Sequence, residues 1–398
     1  MQSPAVPTDR LAARSTARRV LVSATTLALT GLLLTACGGS AKKSAAPAAG
    51  KDAATAVNIT ISDQGCTPSP AKVPAGPVKF TVANKNSGKV TEAELLDSGK
   101  MLGEKENLTP GLSGDFSLTL DAGKYQVYCP GAGTSHTDFE VTGSTANTWK
   151  DNPALVTATT QYASWVDDQT KQLVAATKAF DDAVRAGNAD QAKQLYGKAR
   201  AFYEKIEPTA EIWGDLDGRI DGRIDDAPSP DQFTGYHRLE QALWQQNSLT
   251  GTDKLADQLD ADVNQLYTQV QTVEYQPAVI ANGATDLVNE IETSKVTGEE
   301  ERYSHTDLID FQANLDGANE AIGVLMPVLQ QKNPQLAASI TAAYQKTTAA
   351  LAPYAAAPGY ENTGFVDYST VTDDQRKVLS TTVNAYAEVV SKVAGVVA

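Results

Sequence analysis

The chain has 398 residues, 41% hydrophobic and 20% charged, with a formal net charge of −15 at neutral pH. This composition is that of a globular protein with room for two or more domains. Its acidity argues against nucleic acid, whose phosphates it would repel, and fits cation handling or plain solubility.

The first 36 residues differ from the rest. Arg10, Arg14, Arg18 and Arg19 precede an apolar run, "VLVSATTLALTGLLLTA", that leads into Cys37. A basic flank before a short apolar core is the pattern of a secretory signal, and the run is marginal for a membrane span. The ending "LTAC" resembles a bacterial lipobox, with cleavage before Cys37 and acylation of its sulfur. A plain signal peptide with a cysteine nearby is the other reading. The lipobox predicts an extracytoplasmic protein, lipid-anchored to the outer face of the cell membrane. Residues 37–55 are small and polar without hydrophobic period, which reads as a tether. The two remaining cysteines, Cys66 and Cys129, would pair or bind metal outside the cytoplasm, and two thiols do not decide which.

Over residues 56–145 the pattern is short and alternating: "VNITI", "VKFTVAN", "TEAELLD", "DFSLTL", "KYQVYC" and "TDFEV", separated by Gly and Pro. Strands of this length and spacing predict a small β-sandwich or barrel. Cys129 opens the loop "CPGAGTSH", which ends on His136. A cysteine and a histidine framing the last loop resemble the cupredoxin arrangement. Residues 150–398 are helical in pattern, with segments over about 153–186, 189–213, 231–247, 253–296 (broken at Pro277), 305–331, 334–352 and 373–396. Short loops between them predict antiparallel bundles. The expected fold is thus multidomain, a small cupredoxin-like β-sandwich followed by an all-α bundle.

The most informative stretch is "FTGYHRLEQALW", residues 233–244, in a chain with three histidines. On a regular helix His237 and Glu240 share a narrow arc with Phe233 and Trp244, beside the aliphatic face. An ionisable pair among aromatics is at least partly buried and needs a partner or a metal. Side chains at i and i+3 project from one face, which suits joint coordination. A His–Glu hydrogen bond inside a bundle satisfies the same pattern. Other acids can meet the pair: Glu207 and Glu211 at i, i+4 with Glu204 one turn earlier, Asp253, and Glu299 to Glu301 followed by His305. "DLDGRIDGRIDD" fails as an EF-hand loop, because Arg219 and Ile220 stand where an oxygen ligand and a glycine are needed. It reads as a solvated acidic turn.

"ARAFYEKIEPTAEIWGDLDGRID", "FTGYHRLEQALW" and "EERYSHTDLIDFQANLDGANEAI" resemble the imelysin-type helical domain of the EfeO family of bacterial iron-uptake proteins. "CTPSPAKVPAGPVKFTVANKNSG" and "GEKENLTPGLSGDFSLTLDAGKYQVYC" resemble the cupredoxin-like domain that precedes it in that family. The resemblance runs from about residue 56 to the C-terminus. It implies that the family's HxxE motif falls on His237 and Glu240, with Asp253 and Glu301 as completing ligands and Glu207 and Glu211 behind them. It also implies a second metal site at Cys66, Glu92, Glu94 and Cys129. Met101 and His136 are the remaining candidates in that domain. A blue-copper centre would need two histidines and a weak axial methionine, whereas this domain has one histidine, and Met101 precedes Cys129. The implied function is an iron-binding lipoprotein delivering its cargo to an EfeU-type permease beside an EfeB-type haem peroxidase. The cargo is iron, ferric or ferrous, with copper or zinc as other ions these ligands accept. Two alternatives follow from the same residues. One is an imelysin-type metallopeptidase, without HExxH and with His305 as a third ligand; the other is a surface module for polysaccharide or protein with a structural metal.

Overall fold

The computed structural model describes residues 54–144, 149–227, 229–355 and 364–398. Cys37, the signal segment and most of the tether lie outside them. The β-domain has nine strands: β1 (Thr55–Ser62), β2 (Gly65–Ser69), β3 (Lys72–Pro74), β4 (Gly76–Asn84), β5 (Ala93–Asp97), β6 (Lys100–Lys105), β7 (Ser113–Leu120), β8 (Gly123–Tyr128) and β9 (His136–Thr142). They form two sheets in the orders β2-β1-β4-β7 and β3-β9-β8-β5-β6, mostly antiparallel, with parallel pairs β1/β4 and β3/β9. Alternation decides which face is inside. Val57, Ile59 and Ile61 of β1 and Val78, Phe80 and Val82 of β4 are fully buried, and Phe80 stacks on Phe116 at 4.7 Å.

Strands β2, β3 and β6 lie in stretches where proline, glycine and charge hide the alternating pattern. β2 and β6 are the edges of their sheets and β3 is the other edge of the second. Edge strands tolerate such residues because half their backbone groups face away from the sheet.

Cys66 on β2 and Cys129 after β8 form a disulfide across 63 residues of chain. Both are buried. Reducing it is expected to destabilise the β-domain by about 2–5 kcal/mol, because the unfolded chain regains its loop entropy. Thermal melts of the full chain with and without reductant measure this, and unchanged melts would refute the constraint.

The helical domain comprises α1 (Pro153–Arg185), α2 (Ala189–Glu204), α3 (Glu207–Ala210), α4 (Gly214–Ile220), α5 (Gly235–Glu240), α6 (Asp253–Val270), α7 (Pro277–Glu290), α8 (Asp307–Lys332), α9 (Pro334–Leu351), α10 (Asp373–Val390) and α11 (Ala394–Val397). Local chemistry sets their starts. Asn152 caps α1 by accepting from Ala154 N at 3.0 Å, with Pro153 at the first helical position. Asn333 and Pro334 do the same for α9, and Thr372 and Gln375 form a capping box for α10. Pro277 opens α7, so the long 253–296 pattern is two helices. One buried cluster runs through α1, α2, α6, α7, α8 and α10 and forms the core of this domain.

The two domains meet along α7. Asn282 Nδ2 donates to Ser117 O at 2.9 Å, and Val279 packs against the β-sandwich core. Among the described residues no helix is long and apolar enough to cross a membrane.

Candidate metal centre

His237 and Glu240 sit on a six-residue helix, α5, that begins at Gly235 with φ 74°. A side chain at Gly235 would put its Cβ 2.1 Å from Ile220 O, so only glycine lets α5 start against the end of α4. After Glu240 the backbone widens into one π-turn, Gln241–Gln245. The regular wheel is therefore wrong at both ends: Phe233 precedes the helix in extended backbone, and Trp244 lies in the wide turn against Tyr196. The inward direction of the pair is nevertheless as expected. His237 is 2% exposed and Glu240 0%.

His237 uses both ring nitrogens. Nδ1 lies 3.2 Å from Glu240 Oε2, and Nε2 lies 3.2 Å from Glu300 Oε1 and 3.7 Å from Asp221 Oδ1. Glu240 Oε1 is fixed by two backbone donors, Tyr303 N at 2.8 Å and Ser304 N at 2.7 Å. Glu301 accepts from Tyr196 OH at 3.1 Å and from Ser304 Oγ. One donor atom each from His237, Glu240 and Glu301 falls within 4.8 Å of the others, and so does one each from Asp221, His237 and Glu300. The segment 300–304 thus supplies two carboxylates and the backbone that orients a third. His237 stands between the two sets.

Arg200 of α2 holds this acid together. Its guanidinium is fully buried and pairs with Asp221 and Glu204, with Glu300 Oε1 at 2.9 Å and with Glu301 Oε1 at 2.7 Å, and it lies 3.2 Å from His237 Nε2. Lys295, also fully buried, bonds Glu290 at 2.5 Å and Glu204 at 3.1 Å. Burial and Arg200 push the imidazole down, but Asp221, Glu240 and Glu300 outweigh them and lift it to about 10. Burial raises Asp221 to about 8 despite Arg200 and His237. Burial also opposes ionisation of Glu300 and Glu301, yet Lys295 for the first and Arg200 for the second, together with His237, hold both below the usual carboxylate range. The site therefore holds an imidazolium and a guanidinium where a cation would compete. Metal ligation needs a neutral imidazole, so a metal ion at His237 would have to displace its proton.

The donor set fits a transition metal. One imidazole with several carboxylates suits iron, zinc or manganese better than a monovalent ion. An opening of about 10 Å³, lined in part by Phe233, His237, Glu240, Glu300 and Tyr303, leads to the pair. A concavity of about 700 Å³ between the β-sandwich and α7 and α10 holds none of these acids.

Other sequence-derived candidates lie elsewhere. Asp253 is exposed in the first turn of α6 and joins no ligand group among the described residues. That corrects the expectation of its completing the shell in this conformation. Glu207 groups with Glu204 and Glu290 instead of His237. Glu211 faces Glu104, Asp217, Glu106 and Asp286. His305 lines a separate cavity of about 120 Å³ with Phe365 and Val366. "DLDGRIDGRIDD" is not a solvated turn: Asp221 is buried in the cluster, and Asp217 accepts from Tyr203 OH. Asp215 and Gly218 near its start and residues 224–226 at its end are exposed, and Asp225 pairs with Arg302.

In the β-domain the disulfide corrects the second site as drawn, because both sulfurs of Cys66 and Cys129 are bonded to each other and offer no thiolate. Glu94, Tyr128 and His136 stand in one row across β5, β8 and β9, so the Tyr128 ring separates the carboxylate from the imidazole. His136 is exposed, with its ring 4.6 Å from Tyr128. Met101 is half-buried on β6 opposite Leu96. Glu92 and Glu94 are pushed up by burial and neighbouring acids, Glu94 to about 8.

Two family patterns match this chain: the imelysin pattern, also described as Peptidase M75, over residues 158–393, and a cupredoxin-like domain over residues 27–137. A protein of Escherichia coli O1:K1 named iron uptake system component EfeO is 39% identical over 347 residues, covering 85% of this chain and 91% of the relative. Proteins of the same name from Escherichia coli K12 and Shigella flexneri are each 38% identical over the same span.

Proposed function

The chain belongs to the imelysin family, among EfeO-type iron uptake components with a cupredoxin-like domain ahead of the helical one, and from that premise we propose that it binds iron at His237, Glu240 and Glu301 and hands it to a membrane permease. The observation that carries this reading is the convergence of those three buried donors from α5 and from a segment some sixty residues later. In this reading a lipid on Cys37 tethers the protein outside the cell membrane. An EfeB-type haem peroxidase oxidises ferrous iron, and an EfeU-type permease accepts the ferric ion. The surplus of carboxylates over cationic groups concentrates metal near the opening.

The chain acts here as a carrier and not as an enzyme. HExxH does not occur in the sequence. Among the described residues no second histidine joins His237, since His305 lines another cavity. A zinc-dependent cleavage of a peptide library would overturn this, and glycan binding that persists after metal removal would favour the surface-module reading.

Isothermal titration of the chain with iron tests the site. His237→Ala with Glu240→Ala is expected to weaken binding by at least about 100-fold, since even residues behind the ligands are worth about 10- to 100-fold. Unchanged affinity in that variant would sink the assignment.

A further inference from the structure

Strand β7 ends the first sheet on the side away from β2, so one row of its backbone groups has no strand beside it. The register shows which row. Asn84 N donates to Leu112 O at 3.0 Å, and these two residues stand opposite each other where the β4/β7 ladder continues past its end. Hydrogen-bonded and non-bonded positions alternate along an antiparallel pair, so Gly114, Phe116, Leu118 and Leu120 bond β4. Asp115, Ser117 and Thr119 turn their N–H and C=O groups outward. Two observations agree with this phase. Pro77, which has no N–H, stands opposite Thr119 at a non-bonded position, and Ser117 O accepts from Asn282 Nδ2 of α7 at 2.9 Å. Among the described residues the N–H of Ser117 and both backbone groups of Asp115 have no partner, although Ser117 is only 9% exposed. A buried N–H left unpaired is costly, and a strand edge satisfies it by taking on another strand.

This edge opens onto the concavity of about 700 Å³, which residues 114–117 of β7 line on one side and Asn289 of α7 and Asn384 of α10 on the other. The volume is that of a ligand pocket. Its charge is opposite in sign to that of the whole chain, because Lys79, Lys105 and Lys392 line it against Asp115 and Glu388. Both acids are already engaged, Asp115 by Lys79 at 2.8 Å and Glu388 by Lys392 at 3.2 Å. Lys105 has no acid within ion-pair distance among the described residues, and its stem packs so closely on Gly114 that a Cβ there would come within 2.8 Å of it. The cleft thus combines unpaired main-chain groups with a surplus ammonium.

We propose that this cleft binds an acidic peptide in extended conformation, a segment of a partner protein that adds to the free edge of β7 as a further strand of the first sheet. The main chain of the peptide answers Asp115 and Ser117, and its acidic side chains meet Lys105 and the two lysines beside it. In strand addition the main-chain bonds supply affinity, and alternate side chains supply specificity. A small anion would use the lysines and leave the strand edge unpaired. The cleft is separate from the His237 centre, none of whose acids line it, and does not depend on the iron reading.

An array of short synthetic peptides, probed with the full chain in the presence of EDTA, tests the proposal. In one half of the array aspartate or glutamate alternates with varied residues, and in the other half lysine replaces the acids. Binders are expected in the acidic half and none in the lysine half. N-methylating alternate nitrogens of the best binder is expected to weaken its calorimetric affinity about tenfold in one phase and not in the other, because only one phase faces β7. Ser117→Pro removes an outward N–H without touching the β4 ladder and is expected to cost about tenfold. Lys105→Met is expected to cost about threefold at low salt. An acidic half without binders, or affinity indifferent to both methylation phases and to Ser117→Pro, overturns the proposal. Citrate that displaces the peptide and binds Ser117→Pro unchanged would assign the cleft to small anions and overturn it too. If Ser117→Pro does not fold by circular dichroism, the methylation contrast alone decides.

Discussion

Replacing Arg200 with methionine is expected to destabilise the metal-free protein by about 3–5 kcal/mol, the range for breaking a buried ion network by removing one partner. Arg200 is fully buried and pairs with Glu204, Asp221, Glu300 and Glu301, so its loss leaves four buried acids sharing Lys295, His237 and, for Glu300, Arg223. Urea denaturation measures the change. A matched substitution at Arg185, whose ion pairs are with Asp182, Asp257 and Asp260 near the surface, is expected to cost about 1 kcal/mol or less. The Arg200 variant should also recover stability when a divalent ion is added, by about 2.7 kcal/mol at 100 times its dissociation constant. A loss below about 1 kcal/mol would show that the guanidinium is not what holds the acids together.

The second large effect is a fall in stability as pH rises. Burial raises Asp181 to about 9, with Asp260 adding to it. It raises Asp307 to about 8, with Glu301 adding, and Asp286 to about 7 against the pull of Lys105. Asp221 reaches about 8. In the unfolded chain these groups lose their protons near pH 4. Between about pH 4 and 8 the folded state therefore binds more protons, so the free energy of unfolding decreases as pH rises. His237 acts in the same direction. Its folded value of about 10 lies above its ordinary 6.5, so its contribution is complete below 6.5 and lost as pH climbs to 10. Glu290, Glu300 and Glu301 oppose this only at low pH, because their lowered values give stability that disappears as pH falls below the usual carboxylate range.

Each tenfold change in proton affinity is worth about 1.4 kcal/mol. The metal-free chain should therefore be most stable near pH 5 and lose several kcal/mol by pH 8. Saturating divalent ion should flatten the decline, because the ion replaces the protons that the acids otherwise retain. Urea midpoints at pH 5, 6, 7 and 8, with and without the ion, give the answer. A midpoint that stays level or rises without metal would refute it.

The disagreement between the helical wheel and α5 shows how far local pattern reaches. His237 and Glu240 are three residues apart, and helical spacing places them on one face whatever surrounds them. The period change near residue 150, the β-sandwich preceding the bundle, the break at Pro277 and the HxxE pair all depend on neighbouring residues, and the amino-acid order alone determined them. Strand β6 was not legible, because "KMLGEK" lacks alternation and its pairing partner supplies the order. With it went Glu104 and Glu106, which face the helical domain.

Only the tertiary structure decided what surrounds the pair. Arg200, Asp221, Glu300 and Lys295 come from α2, the end of α4 and the segment after α7, and no spacing in the sequence links them. Each reads alone as a surface charge or a solvated acidic run. Burial changes their chemistry, since a charge out of water must find its counter-charge among whatever the packed helices bring within a few ångströms. The same constraint separates Glu207 from His237 and leaves Asp253 in solvent. A ligand shell is a property of distances, and distances between remote segments exist only once the core has set them.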